Sequence, residues 1–168
     1  MEEWDLYDRN RNKLEKVVKR GDKLEDSEYH LVVNAWIMNS KGEFLISQRV
    51  ATKPHPLMWE CTGGSALKGE DSLTAVFREV KEELGINVSD CERKFIGFSS
   101  RYYVNCPDIL DVWLFKKDVP IDKVKKQDEE VNDVMWASKE KIKELYENGK
   151  FEATCFFKDV IYNDIDKH

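Results

Sequence analysis

The 168-residue chain has little from which to build a disulfide or zinc framework. Its four cysteines, Cys61, Cys91, Cys106 and Cys155, stand apart with no CxxC spacing, so a reduced, cytoplasmic chain is the expectation. No apolar run approaches the length of a membrane span. The first residues, Met1-Glu2-Glu3-Trp4-Asp5, are acidic where a signal peptide would be basic and then apolar. Excess positive charge is also missing: 33 acidic against 27 basic residues give a formal net charge of -6. Such a field repels polyanions and argues against binding duplex nucleic acid. With no internal repeat and no Gly/Ser-rich or Pro-rich linker, one domain over residues 1–168 is expected.

What is present is enough apolar material for a core, 41% of the chain with five Trp and eight Phe. Residues 1–28 read as an accessory hairpin, Trp4 to Asp8 and Leu14 to Lys19 flanking the turn-rich Arg9-Asn10-Arg11-Asn12. Tyr29 to Met38 is rich in β formers and reads as a central strand, followed across Asn39-Ser40-Lys41-Gly42 by a second strand, Glu43 to Arg49. After the proline loop around His55 come a short strand near Met58 to Thr62, a tight loop at Gly63-Gly64, and a helix from Ser72 to Leu84. Strands are expected again at Arg93 to Tyr103, Ile109 to Phe115 and Val134 to Ala137, the last after a long charged loop. Two helices follow, near Lys139 to Asn148 and Thr154 to Ile165. Strands before, between and after helices predict an α/β domain, a mixed sheet with helices packed on its faces.

The Ser72 to Leu84 helix carries the chemistry. Leu73, Val76, Phe77, Val80 and Leu84 recur at helical spacing as one buried stripe, and Gly85 stands where a left-handed cap belongs, with Ile86 able to pack back on Val80. Glu79, Glu82 and Glu83 fall together on another face, at i,i+3 and i,i+4 steps. Like charges there, at the negative end of the helix dipole, cost stability. A hard divalent cation such as Mg²⁺ would compensate them; on spacing alone, a solvated acidic face is the more ordinary reading.

The preceding segment, Gly64-Ser65-Ala66-Leu67-Lys68-Gly69-Glu70, joins Arg78-Glu79-Val80-Lys81-Glu82-Glu83-Leu84-Gly85-Ile86 to make a 23-residue motif. At every defined position it resembles the Nudix box, a match expected by chance with probability on the order of one in a million. The resemblance implies an α/β/α sandwich with an N-terminal hairpin extension and a hydrolase that uses Mg²⁺, or Mn²⁺, to activate water against a phosphoanhydride. It makes Gly64, Glu79, Glu82 and Glu83 the metal ligands, and pairs Glu70 with Arg78 to hold loop against helix, Arg78 orienting a glutamate. Gly63, Glu70 and Gly85 become the structural residues of the box. Glu82 or Glu83 could serve as base, and so could Glu130, in the loop before the last strand. Arg49 stands where relatives contact a substrate phosphate, and Tyr102 and Tyr103 could stack a base. The partner implied is a small diphosphate-containing molecule, a nucleoside diphosphate or its conjugate; relatives also suggest a homodimer.

Tyr29-His30-Leu31 to Trp36, Gly42-Glu43-Phe44-Leu45, Gln48-Arg49, Lys53 and Trp59 look like the isopentenyl-diphosphate isomerase branch of the same superfamily. Counting back from Gly69-Glu70, that branch's cysteine would fall at Gly63 and its histidine at Ser65. Both are absent, Cys61 misses the position, and His30, which matches an isomerase metal ligand, lacks its companion. The alternatives to hydrolysis are thus an isomerase-like enzyme and a catalytically silent diphosphate-binding module. All four box carboxylates are present, which disfavours the silent module.

Overall fold

The fold is described from a computed structural model, covering residues 1–164. In chain order its elements are β1 (Glu3–Tyr7), β2 (Lys13–Lys19), β3 (Tyr29–Met38), β4 (Phe44–Arg49), β5 (Trp59–Glu60), β6 (Thr62–Ser65), α1 (Ser72–Leu84), β7 (Glu92–Arg101), β8 (Asp108–Lys116), β9 (Val131–Ala137), α2 (Lys139–Glu147) and α3 (Phe157–Ile161).

β3 organises the sheet. Along one edge it pairs in parallel with β8, from His30 opposite Asp108 to Met38 opposite Lys116. Along the other it receives β1 at Leu6–His30, then β6 from Val32–Ser65 to Ala35–Thr62, then β4 at Met38–Phe44. A strand flanked like this is buried on both faces, which is why its sequence is apolar nearly throughout. Leu31, Val33, Ala35 and Ile37 pack with Ala75, Val76, Val80 and Leu84 of α1. Trp36 packs on the opposite side with Ile142 and Leu145 of α2 and Phe157, Val160 and Ile161 of α3. The expected mixed sheet with helices on its faces is the fold observed.

Two expectations need correction. The single strand near Met58 to Thr62 is two, β5 on β4 and β6 on β3, and Gly63 and Gly64 lie inside β6 instead of in a tight loop. The last helix, expected to start at Thr154, begins only at Phe157, after Phe156 at φ 65. Thr154 is drawn off by the sheet, its hydroxyl donating to Asn34 Oδ1 at 3.0 Å. Its expected end at Ile165 lies outside the described residues.

The N-terminal hairpin is continuous with the main sheet. Trp4 and Leu6 are buried, and the Trp4 ring stacks on His30 at 4.1 Å. Arg11, at φ 66 in the turn, pairs with the fully buried Asp111 of β8 and lies over the Phe98 ring at 4.7 Å. β1 also grips the loop after β6: Lys68 N donates to Glu3 O at 2.8 Å and Gly69 N to Asp5 Oδ2 at 2.7 Å.

Burial, helped by the Arg101 and Arg20 cations, lowers the His30 pKa from 6.5 to about 4. The unfolded chain takes up this proton before the folded one does. The contribution of neutral His30 is therefore full above pH 6.5 and declines as the pH falls towards 4, by up to about 3 kcal/mol. His30→Phe, which keeps a ring against Trp4, is expected to flatten this part of a plot of urea midpoint against pH. An unchanged slope would place the acid sensitivity elsewhere.

Candidate active site

The helix that presents the carboxylates is well delimited. Asp71 caps it, accepting from Thr74 N at 2.7 Å, and Gly85 closes it at φ 68 with its N–H on Lys81 O. Residues beyond the helix satisfy two more terminal carbonyls: Lys125 N donates to Leu84 O and Gln127 N to Glu83 O, both at 2.9 Å. This fixes the loop before β9 against the end of α1 and carries Glu130 to the same cleft.

With Ala75, Val76, Val80 and Leu84 buried, the acidic face of α1 turns to β6. Glu83 Oε2 accepts from Thr62 Oγ1 at 2.6 Å. Arg78 Nη1 bridges Glu79 at 3.0 Å and Glu82 at 3.1 Å. The same guanidinium donates from Nε to Glu70 at 2.6 Å, and from Nη2 to Glu70 and to the Ser65 carbonyl at 3.0 Å. Glu70 in turn accepts from Leu67 N at 2.8 Å, so one arginine ties loop, strand and helix together.

The two strand glycines are required by close approach. Neither has a positive φ. A Cβ on Gly63 would lie 2.2 Å from the Val33 carbonyl oxygen, and one on Gly64 2.4 Å from the Glu79 carboxylate. The turn falls instead at Gly69, at φ 85.

Glu79, Glu82 and Glu83 line a polar cleft of about 210 Å³ with the backbone of Gly63 to Ser65. Arg78, Lys53, Gln127 and Glu130 line it as well, and Glu2 and Arg20 of the hairpin complete the lining. Lys53 pairs with Glu130. Burial pushes the Glu79 carboxyl above its ordinary range against the pull of Arg78. Burial likewise pushes Glu83 up to about 7, opposed by the Thr62 hydroxyl and reinforced by Glu79 and Glu60.

These groups are short of positive charge. Among the described residues no set of three or more His, Cys, Asp or Glu is already drawn together as a formed metal cluster, since Arg78 and Thr62 hold the carboxylates. The donor set is nonetheless all oxygen and anionic, and two of its members are desolvated without a sufficient counter-charge. That chemistry fits a hard divalent cation of the Mg²⁺ type.

Other expected residues lie elsewhere. Arg49 is outside the cleft lining: Nη1 contacts both oxygens of Glu60 at 3.1 and 3.0 Å, and Nε the Pro54 carbonyl at 2.7 Å. Tyr102 and Tyr103 are exposed and also outside that lining. The Tyr102 hydroxyl reaches Asp26 at 3.1 Å, and the Tyr103 ring faces Arg101 at 5.4 Å. Cys61 is buried, with its thiol pKa pushed well up by burial. Thr62, Gln127, Glu2 and Arg20 were not singled out from sequence as site residues, and Lys53 appeared only within the isomerase-like pattern.

Residues 28–158 match the family model described as the NUDIX domain. A Listeria innocua protein described as a Nudix hydrolase is 42% identical over 153 residues, spanning 90% of this chain and 88% of its own length. An isopentenyl-diphosphate Delta-isomerase of Escherichia coli is 32% identical over 78 residues, 45% of this chain and 43% of the isomerase. Among solved structures, a Deinococcus radiodurans protein superposes with a TM-score of 0.75 over 96% of this chain and 98% of its own, at 20% identity, a likeness of fold.

Gly63→Ala and Gly64→Ala are expected to separate. The first drives a methyl group into backbone and should lower stability by about 1–3 kcal/mol. The second meets only the movable end of Glu79, so the chain should fold with nearly unchanged urea midpoint while losing activity through displacement of that carboxylate. Equal destabilisation of the two variants would contradict this division.

Proposed function

Because the chain belongs to the Nudix family and is one of its hydrolases, we propose that the cleft beside α1 uses Mg²⁺ to cleave a phosphoanhydride in a nucleoside diphosphate or a nucleoside diphosphate-linked small molecule. The observation that carries this reading is that Glu79, Glu82 and Glu83 line one cleft together with Glu130 and Lys53.

Glu79, Glu82, Glu83 and Gly64 would hold Mg²⁺, or Mn²⁺. When bound, the cation lowers the pKa of water and neutralises phosphate charge. Arg78 keeps Glu79 and Glu82 oriented through Nη1. Glu130 is the proposed acceptor of the water proton, with Lys53 holding its carboxylate in place. Glu82 and Glu83 are the alternative bases. Tyr102 and Tyr103 offer exposed rings on which a base could stack. Arg49 enters indirectly, by balancing Glu60, whose negative charge acts on Glu83.

The isomerase reading is weakened by Gly63. A cysteine there would have its Cβ 2.2 Å from backbone oxygen, so the required cysteine has no room without movement of β3 or β6. The silent-module reading is opposed by the presence of all four box carboxylates and by the assembly of three of them, Glu79, Glu82 and Glu83, at one cleft.

The test is product release from nucleoside diphosphates, nucleoside diphosphate sugars, dinucleoside polyphosphates and isopentenyl diphosphate, with Mg²⁺ and with chelator. Metal-dependent cleavage of one class is expected; double-bond migration without cleavage would overturn the proposal.

Glu83→Gln should lower turnover by about two orders of magnitude or more. The folded Glu83 pKa, about 7 against 4.5, penalises the ionised folded state, so this contribution is lost as pH rises through 7. The amide removes the penalty. In chelator above pH 7, the variant's melting temperature should equal or exceed that of the parent chain. Mg²⁺ should raise the melting temperature of the parent chain and do so less for the variant. Near-normal turnover would remove Glu83 from the machinery.

A further inference from the structure

Three cations line the cleft: Arg20, Lys53 and Arg78. They differ in what they can still offer an anion. Arg78 is saturated, donating to Glu70, Glu79, Glu82 and the Ser65 carbonyl. Lys53 is committed to Glu130. Among the described residues Arg20 makes one side-chain ion pair, Nη1 to Glu2 Oε2 at 2.9 Å, in which both partners are exposed, 63% and 43%. An exposed pair of this kind contributes little and exchanges readily. A guanidinium fork suits phosphate oxygens better than an ammonium does.

The position of Arg20 is well held although its side chain is exposed. Its backbone N–H donates to Glu2 O at 2.9 Å, closing the β1–β2 ladder. Just beyond it, Gly21 turns the chain at φ 99. Leu24 then anchors the segment, 1% exposed and donating from its N–H to Asn105 O at 2.9 Å. Arg20 therefore sits on a fixed strand end at the rim of a cleft where acidic side chains outnumber basic ones five to three (Glu2, Glu79, Glu82, Glu83 and Glu130 against Arg20, Lys53 and Arg78). An anionic substrate entering such a cleft needs an available cation from the protein. The matched family model begins at residue 28, so Arg20 lies on a part of this chain outside that shared unit.

We propose that Arg20 is a substrate-binding residue that takes a phosphate group of the diphosphate by exchanging Glu2 for it. The assignment rests on the hydrolytic reading of the cleft and makes the N-terminal hairpin part of the site. Glu2 is then a competitor for the same guanidinium, and the two residues have opposite effects on binding.

The experiment compares the parent chain with Arg20→Gln and Glu2→Gln. Calorimetry with inorganic pyrophosphate and Mg²⁺ gives Kd, and steady-state hydrolysis of whichever diphosphate the panel identifies gives KM and kcat. Arg20→Gln should weaken pyrophosphate binding and raise KM, each about tenfold, as expected for a lost charge-assisted hydrogen bond, with kcat within about twofold. Glu2→Gln should tighten binding by about twofold to threefold. If the pair only held the hairpin closed, the two variants would shift Kd in the same direction, which overturns the proposal. So does an unchanged Kd in Arg20→Gln, or a parent chain that does not bind pyrophosphate. If no panel compound is cleaved but Arg20→Gln still weakens pyrophosphate binding tenfold, the hydrolytic reading falls and the Arg20 assignment stands. If hydrolysis proceeds and Arg20→Gln alters neither KM nor Kd, the assignment alone falls.

Discussion

The guanidinium of Arg78 is the fixed point of this molecule's chemistry. Its contacts with Glu70, Glu79, Glu82 and the Ser65 carbonyl join the loop, the strand and the helix that together make the cleft. Arginine is suited to this because its donors lie in one plane and its charge persists at any working pH. The Glu70 contact raises its pKa further still. A helix carrying Glu79, Glu82 and Glu83 in its C-terminal half works against its own dipole. Arg78 offsets part of that conflict. What it leaves uncompensated, the desolvated Glu79 and Glu83 carboxylates, is where a cation would bind most favourably.

The elements that could be read from sequence are those whose residues repeat with a structural period. α1 runs from Ser72 to Leu84 as its apolar spacing and Gly85 predict, and β3 spans Tyr29 to Met38 as its β-forming run predicts. Gly63-Gly64 was misread because two glycines after a strand are ordinary turn punctuation. Their real constraint is tertiary, the Val33 carbonyl and the Glu79 carboxylate pressing on positions that have no room for a side chain. A single sequence carries no sign of that pressure.

The site divided along the same line. The α1 carboxylates were legible because they share one helix face and a box of defined spacing, and Glu130 because of its place before the last strand. Arg20, Thr62 and Gln127 come to the cleft from a hairpin end, a strand and a loop, with no local pattern to mark them. Arg49 shows the converse. Its position suggests a phosphate contact, and in the fold the neighbouring Glu60, itself largely desolvated, is the acceptor its guanidinium meets from β5. Which acceptor an arginine finds depends on the fold around it.

The hairpin is built into the sheet at Leu6, pinned by Arg11 to the buried Asp111, and hydrogen-bonded to the loop that carries Glu70. The matched family unit starts only after it. The chain thus joins the matched family unit to an N-terminal hairpin that is built into the same sheet. On the proposed role of Arg20, substitution within residues 1–27 would retune which anion is admitted while leaving the α1 carboxylates in place, provided the Arg11 and Leu6 anchors survive. Substrate choice and the chemical step would then be tuned from different stretches of one small sequence.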